Sequence, residues 1–181
     1  MGLFQVFKQV ETFTVVFDVE MKELSEVFPQ YANDPLEAAY YWLTRFLMLT
    51  ISSDFRRFNR HNRSVKIALL HDRTGGNGYY DSTILRAFKS LTSDATFAGK
   101  EMFSTIAPLS WTNCILLQPA DLVAFENFKQ AEARLAERES RKSFKALLDM
   151  HNFGIHSKTV NKIALSKLRE VIEKAQAKES P

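Results

Sequence analysis

Residues 65–71 read Val-Lys-Ile-Ala-Leu-Leu-His, a short apolar run with little alternation, and Asp72-Arg73-Thr74-Gly75-Gly76-Asn77-Gly78 follows at once. A strand that is apolar on both sides suits a sheet covered on both faces, the usual setting of a parallel strand. The glycine-rich stretch after it reads as a turn. Parallel strands need crossovers of a dozen or more residues, usually helical. This one run therefore points to alternating strands and helices in an α/β layered domain.

The rest of the chain supplies both kinds of segment. Leu3, Val6, Phe7 and Val10 form a helical stripe, with a strand reading (Phe4, Val6 and Val10 on one face) as the weaker alternative. Residues 13–19, Phe-Thr-Val-Val-Phe-Asp-Val, are β-branched and aromatic and predict a strand. Asp34 as N-cap, Pro35 at the first position and Glu37 in the first turn predict a helix to about Phe58, with Leu36, Tyr40, Leu43, Leu47 and Ile51 as its apolar stripe. Asp81 or Ser82 is expected to cap a helix through Leu85, Phe88 and Leu91, and residues 102–109 to form another strand. Pro119, expected at the first helical position, opens a helix to about Glu137. Beyond it the chain reads as helical to the end, with Phe144, Leu147, Leu148, Val160, Ile163, Leu168, Val171 and Ile172. The expected organisation is a single domain, with an α/β core over 13–136 and a helical C-terminal extension over 137–181.

Composition narrows the class. With 181 residues, 45% hydrophobic and 25% charged, the chain is in the ordinary globular range. No apolar run approaches the ~20 residues that span a bilayer, so no membrane partner is expected. The N-terminus lacks the pattern of a signal peptide. Cys114 is the only cysteine, so no internal disulfide forms and a reducing, cytoplasmic setting is expected. His61, His71, His151 and His156 have no cysteine partners at zinc-site spacing. A net charge of +3 does not by itself imply nucleic acid.

Two carboxylates stand where α/β folds place active groups. Asp72 follows a predicted central strand, at the edge where open α/β sheets bind ligands. Asp121 lies near a helix start among Leu117, Leu122, Val123 and Phe125, with Gln118 three residues before it on the same side. Such acids supply hard oxygen ligands for Mg²⁺ or Mn²⁺, and two ions would activate water for phosphodiester cleavage. The alternatives are a common turn residue for Asp72 and a solvated, dipole-favoured acid for Asp121. Asp18 and Glu20 share a strand face and are either further ligands or the solvent side of an edge strand. Gly75, Gly76 and Gly78 are not followed by the Lys and Ser/Thr of a nucleotide-binding loop. Residues 55–63 are the densest basic stretch. Arg56, Arg57, Arg60 and Arg63 suit a phosphate backbone or, alternatively, the solvated end of a long helix. Cys114, beside Asn113 and Ile115, reads as core.

Residues 116–126, Leu-Leu-Gln-Pro-Ala-Asp-Leu-Val-Ala-Phe-Glu, resemble the Leu-Gln-x-Ala-Asp-apolar-Ala helix start of the family called domain of unknown function 3800, grouped with ribonuclease H-like folds. Residues 97–106, 65–78 and 141–148 resemble its penultimate strand region, its acid-ended strand and its tail, so the resemblance spans about residues 13–150. It implies a ribonuclease H-like mixed sheet flanked by helices and a divalent-metal-dependent nuclease or phosphodiesterase. Asp72 would be the central-strand acid and Asp121 the helix acid, both as catalytic metal ligands, with Gln118 in support. The family begins with a strand bearing Asp-Glu-Ser-Gly, whereas Asp18-Val19-Glu20 matches a later strand and residues 1–10 the end of a preceding helix. The resemblance thus implies a fold incomplete at its N-terminus and a remnant that is weak or inactive alone. The alternative is a non-catalytic module that binds nucleic acid or assembles with other proteins. Missing strands would leave a sheet edge uncovered, which predicts self-association.

Overall fold

The computed structural model describes residues 12–58, 66–73, 78–110, 112, 114, 117–149 and 153–179. In chain order they form β1 (Thr12–Val19), α1 (Met21–Val27), α2 (Pro35–Phe58), β2 (Ile67–Asp72), α3 (Asp81–Ser93), β3 (Phe103–Leu109), α4 (Leu117–Leu135), α5 (Lys142–Leu148), β4 (Phe153–Val160) and α6 (Lys162–Glu179). The mixed α/β class is as expected. The helix expected over residues 3–10 lies outside the described residues.

β2 pairs with β3, and β1 with β4. Ser104 Oγ donates to the Ile67 carbonyl at 3.1 Å, and the Arg73 N–H donates to the Leu109 carbonyl at 3.0 Å. The two strands therefore advance in step, as parallel strands do, and α3 is their crossover. β2 is not apolar-covered on both faces: half-buried Ile67, Leu69 and His71 alternate with exposed Ala68, Leu70 and Asp72. The continuous apolar run masked this, because Ala68 and Leu70 carry no polar mark of the exposed side.

The chain divides into two compact units. One comprises Met1–Val16, Leu70–Arg73 and Pro108–Lys158; the other Phe17–Leu69, Thr74–Ala107 and Thr159–Pro181. The second unit has two buried clusters. Leu24, Val27, Phe28, Ala38, Ala39 and Trp42 enclose Val160 and Leu165 from the far end of the chain, with Phe28 and Trp42 stacked at 5.0 Å. Met48, Leu91, Phe97 and Phe103 form the other. Gly99 closes against it, since a Cβ there would lie 2.6 Å from Ser52 Cβ. Lys162 pairs with Glu26 at 2.6 Å, and Arg169 donates to the Val27 carbonyl, so α6 is tied to α1. The hydrogen bond to Lys162, reinforced by its charge, holds the Glu26 carboxyl below its ordinary range. That exposed pair contributes above the ordinary carboxylate pKa and fades as acid protonates Glu26.

In the first unit α4 packs on α5, burying Val123, Glu126, Ala133 and Leu147. Glu126 is only 3% exposed. It accepts from Ser143 Oγ at 2.8 Å and pairs with Arg141 at 3.3 Å. Gln130, one turn on, donates to Ser140 Oγ at 2.9 Å. α4 ends in a Schellman turn: the Arg138 N–H reaches the Ala133 carbonyl and the Glu137 N–H the Arg134 carbonyl. Glu137 accordingly sits at φ 51°, where glycine is customary.

Other expectations change in detail. α1 was not anticipated. The stretch read as helical from 137 to the end contains β4, whose pairing partner β1 lies at the far end of the sequence; such a non-local ladder leaves no local helical or turn signal. The N-cap position of α3 is Tyr80 without a side-chain cap, and Asp81 is already helical. α4 starts at Leu117, so Pro119 is its third residue and Asp121 lies in its second turn. Proline is tolerated there because none of the first four N–H groups has an intrahelical partner. The cap of α2 is as expected, with the Glu37 N–H donating to Asp34 Oδ1 at 3.0 Å. Tyr80 also donates to Asp34, at 3.0 Å, and stacks on Tyr40. Burial, then the hydrogen bond to Asp34, pushes the Tyr80 phenol above its ordinary pKa.

Two predictions follow from these contacts. Asp34→Ala removes the cap and should cost about 1 kcal/mol in urea unfolding, and a spectrophotometric titration should show the Tyr80 pKa falling. Glu137→Gly relieves a left-handed backbone and should raise stability by up to about 1 kcal/mol in the same assay.

Candidate functional site

Asp72 is the last residue of β2, and Leu109, bonded to the next residue Arg73, is the last of β3. Both carboxyl ends thus open on one edge. From there the chain turns into α4: Cys114 N–H donates to the Ser110 carbonyl, and Leu117 N–H to the Cys114 carbonyl at 3.0 Å. Ser110 Oγ and Thr112 Oγ1 lie 2.7 Å apart within this turn. Asp72, Gln118 and Asp121 belong to the same compact unit. Asp72 and Asp121 are both exposed and Gln118 is half-buried. Asp121 thus stands in solvent, as its solvated reading has it, and α4 turns Val123 and Glu126 inward instead.

Among the described residues no group of three or more His, Cys, Asp or Glu side chains gathers at cation-binding spacing. Cys114 is half-buried rather than core. Glu20 stands exposed just before α1, and the Asp18 side chain lies outside what is described. Arg60 and Arg63 lie outside the described residues; of Arg56 and Arg57 only the backbone of α2 is described.

A second surface, not anticipated from the sequence, lies on the other unit. α3 buries Thr83, Ile84, Ala87 and Leu91, so the opposite helical positions face outward. Those positions carry Ser82, Arg86, Lys89, Ser90 and Ser93, with Leu85, along a groove of about 430 Å³. α2 adds Arg45, whose guanidinium lies 5.8 Å from the Tyr41 ring and 5.7 Å from the Trp42 ring and donates to Ser90 Oγ at 2.8 Å. Arg86 pairs with Glu37 at 2.6 Å and lies over Tyr41. Stacking and pairing hold these long side chains in place, which lowers the entropy cost of using them. The signal was present as helical spacing in 82–93, but Arg45 joins it only through the packing of α2 on α3.

Among the described residues no helix is long and apolar enough to cross a membrane. Comparison of the chain with protein-family profiles, curated proteins and solved structures finds no match.

Proposed function

We propose that this chain binds nucleic acid through its phosphate backbone, with the outer face of α3 as the contact surface. The observation that supports it is the gathering of Arg45, Arg86, Lys89 and three serine hydroxyls on one accessible face. Guanidinium, ammonium and hydroxyl donors are the groups that meet phosphate oxygens. α2, which carries Arg45, also leads into the basic stretch Arg56, Arg57, Arg60 and Arg63.

A second reading rests on the β2–β3 edge. Asp72 ends one parallel strand and Asp121 lies in the helix that follows the neighbouring strand β3, an arrangement that a ribonuclease H-like, divalent-metal-dependent phosphodiesterase would use. Asp72 and Asp121 would hold the ion, with Gln118 beside them as a polar support. Mg²⁺ or Mn²⁺ would there supply an activated water and charge for the leaving oxygen.

Fluorescence anisotropy with labelled single-stranded RNA and DNA tests the first reading. Affinity should fall with salt at a logarithmic slope of about −0.7 per phosphate contact. Arg86→Ala combined with Lys89→Ala should flatten that slope by roughly one to two contacts. Binding that ignores salt, or a slope unchanged in the double variant, refutes it. For the second reading, calorimetric titration with Mn²⁺ should give heat that Asp72→Asn or Asp121→Asn abolishes; the same heat in both variants would remove the edge as a metal site.

A further inference from the structure

The outward side of α3 continues into the turn that precedes the helix. The Asp81 N–H donates to the Gly78 carbonyl at 3.0 Å, and Tyr80 has φ −96° and ψ 5°, the values of the third residue of a type I turn. Tyr79, the second residue of that turn, has no positive φ and keeps the right-handed sense of the helix that follows. Residues 79, 82, 86, 89 and 93 then succeed one another at steps of three and four, and all of them are exposed. Tyr79, 68% exposed, stands at one end of this row, ahead of Ser82, Arg86, Lys89 and Ser93 of the α3 groove. Two further rings hold it there. Tyr79 meets Tyr80 nearly at right angles, with 4.8 Å between ring centres, and Tyr80 stacks on Tyr40 while its hydroxyl donates to Asp34.

We propose that the nucleic acid held on this face is a single strand, and that Tyr79 carries one of its bases stacked on the ring. This rests on the reading of α3 as a phosphate contact surface and adds what that reading leaves open, the state of the bases. Charge divides the row. Arg86 and Lys89 supply cations along the helix, whereas the Tyr79 end carries the carboxylates of Asp81 and of Asp34, which is bonded to Tyr80. A phosphate placed at that end meets like charge, and a neutral base does not. A basic groove that follows the backbone, beside an aromatic ring that takes a base, is the combination that binds single strands. Residue 79 precedes residue 89 by roughly 15 Å at the helical rise, so phosphates on Arg86 and Lys89 leave room for a base of the same strand at Tyr79. A duplex has no base to give, because its bases are already paired and stacked and extracting one costs free energy. Since Tyr80 already holds the ring, stacking removes little further side-chain freedom.

Fluorescence anisotropy with the full chain tests this against labelled probes of equal length: oligo(dT), whose bases are unpaired, the corresponding duplex, and a deoxyribose-phosphate oligomer without bases. The wild type should bind oligo(dT) more tightly than the duplex at the same salt. Tyr79→Ala should weaken oligo(dT) binding at least about fivefold with the salt slope unchanged, and Tyr79→Trp, which keeps a ring, should stay within about threefold of the wild type. The baseless oligomer should bind the wild type and Tyr79→Ala alike. The proposal is overturned by an equal loss on the baseless oligomer, by a Tyr79→Trp variant as weak as Tyr79→Ala, or by a duplex bound as tightly as the single strand. Salt-dependent binding that Arg86→Ala with Lys89→Ala weakens, and Tyr79→Ala leaves alone, sinks the stacking and spares the phosphate surface. Binding indifferent to salt sinks the phosphate surface and this proposal with it.

Discussion

A carboxylate taken out of water must find donors, and Glu126 is the one acid buried among the described residues. Its partners, Ser143 and Arg141, both come from the segment that forms α5. Leaving such a group without them costs several kcal/mol, so α4 has one rotation about its axis that is affordable. That rotation sends Val123 and Ala133 inward with Glu126. It also leaves Phe125, Phe128 and Leu135 outside, although hydrophobicity alone would turn the helix the other way. The orientation of the longest helix of its unit is thus decided by electrostatics against apolar burial, and the outer apolar stripe is a direct result.

Much of the architecture was legible from local signals. Asp34 and Pro35 mark the start of α2 because a side-chain cap and a missing N–H act within one turn. β1, β2, β3 and α4 are likewise local in origin. What escaped was set by distant partners. β4 pairs with β1 across nearly the whole sequence, and α1 is stabilised by Val160 and Leu165 rather than by its own short span. The rotation of α4 was hidden for the same reason, since its deciding contacts lie in residues 141–143.

The site was legible in outline only. That Asp72 ends a strand could be read from the glycine-rich segment after it, and that Asp121 lies early in a helix from Pro119. Their exposure could not be read, because it depends on which side of α4 turns inward. The cationic face of α3 shows the complementary case. Ser82, Arg86, Lys89 and Ser90 have helical spacing in the sequence, yet a solvated helix shows the same pattern. Only the packing of α2 brings Arg45 to Ser90 and gives that face an organised donor set.

The cluster that joins Leu24, Val27, Phe28 and Trp42 to Val160 and Leu165 has a consequence for synthesis. Its first half leaves the ribosome roughly 120 residues before its second, an interval of about 6–24 s at ordinary elongation rates. Through that interval the Phe28–Trp42 stack has one side open to water, and α1, only seven residues long, lacks the α6 contacts at Glu26 and Val27. That aromatic surface is therefore covered only once α6 has been translated and packs against α1.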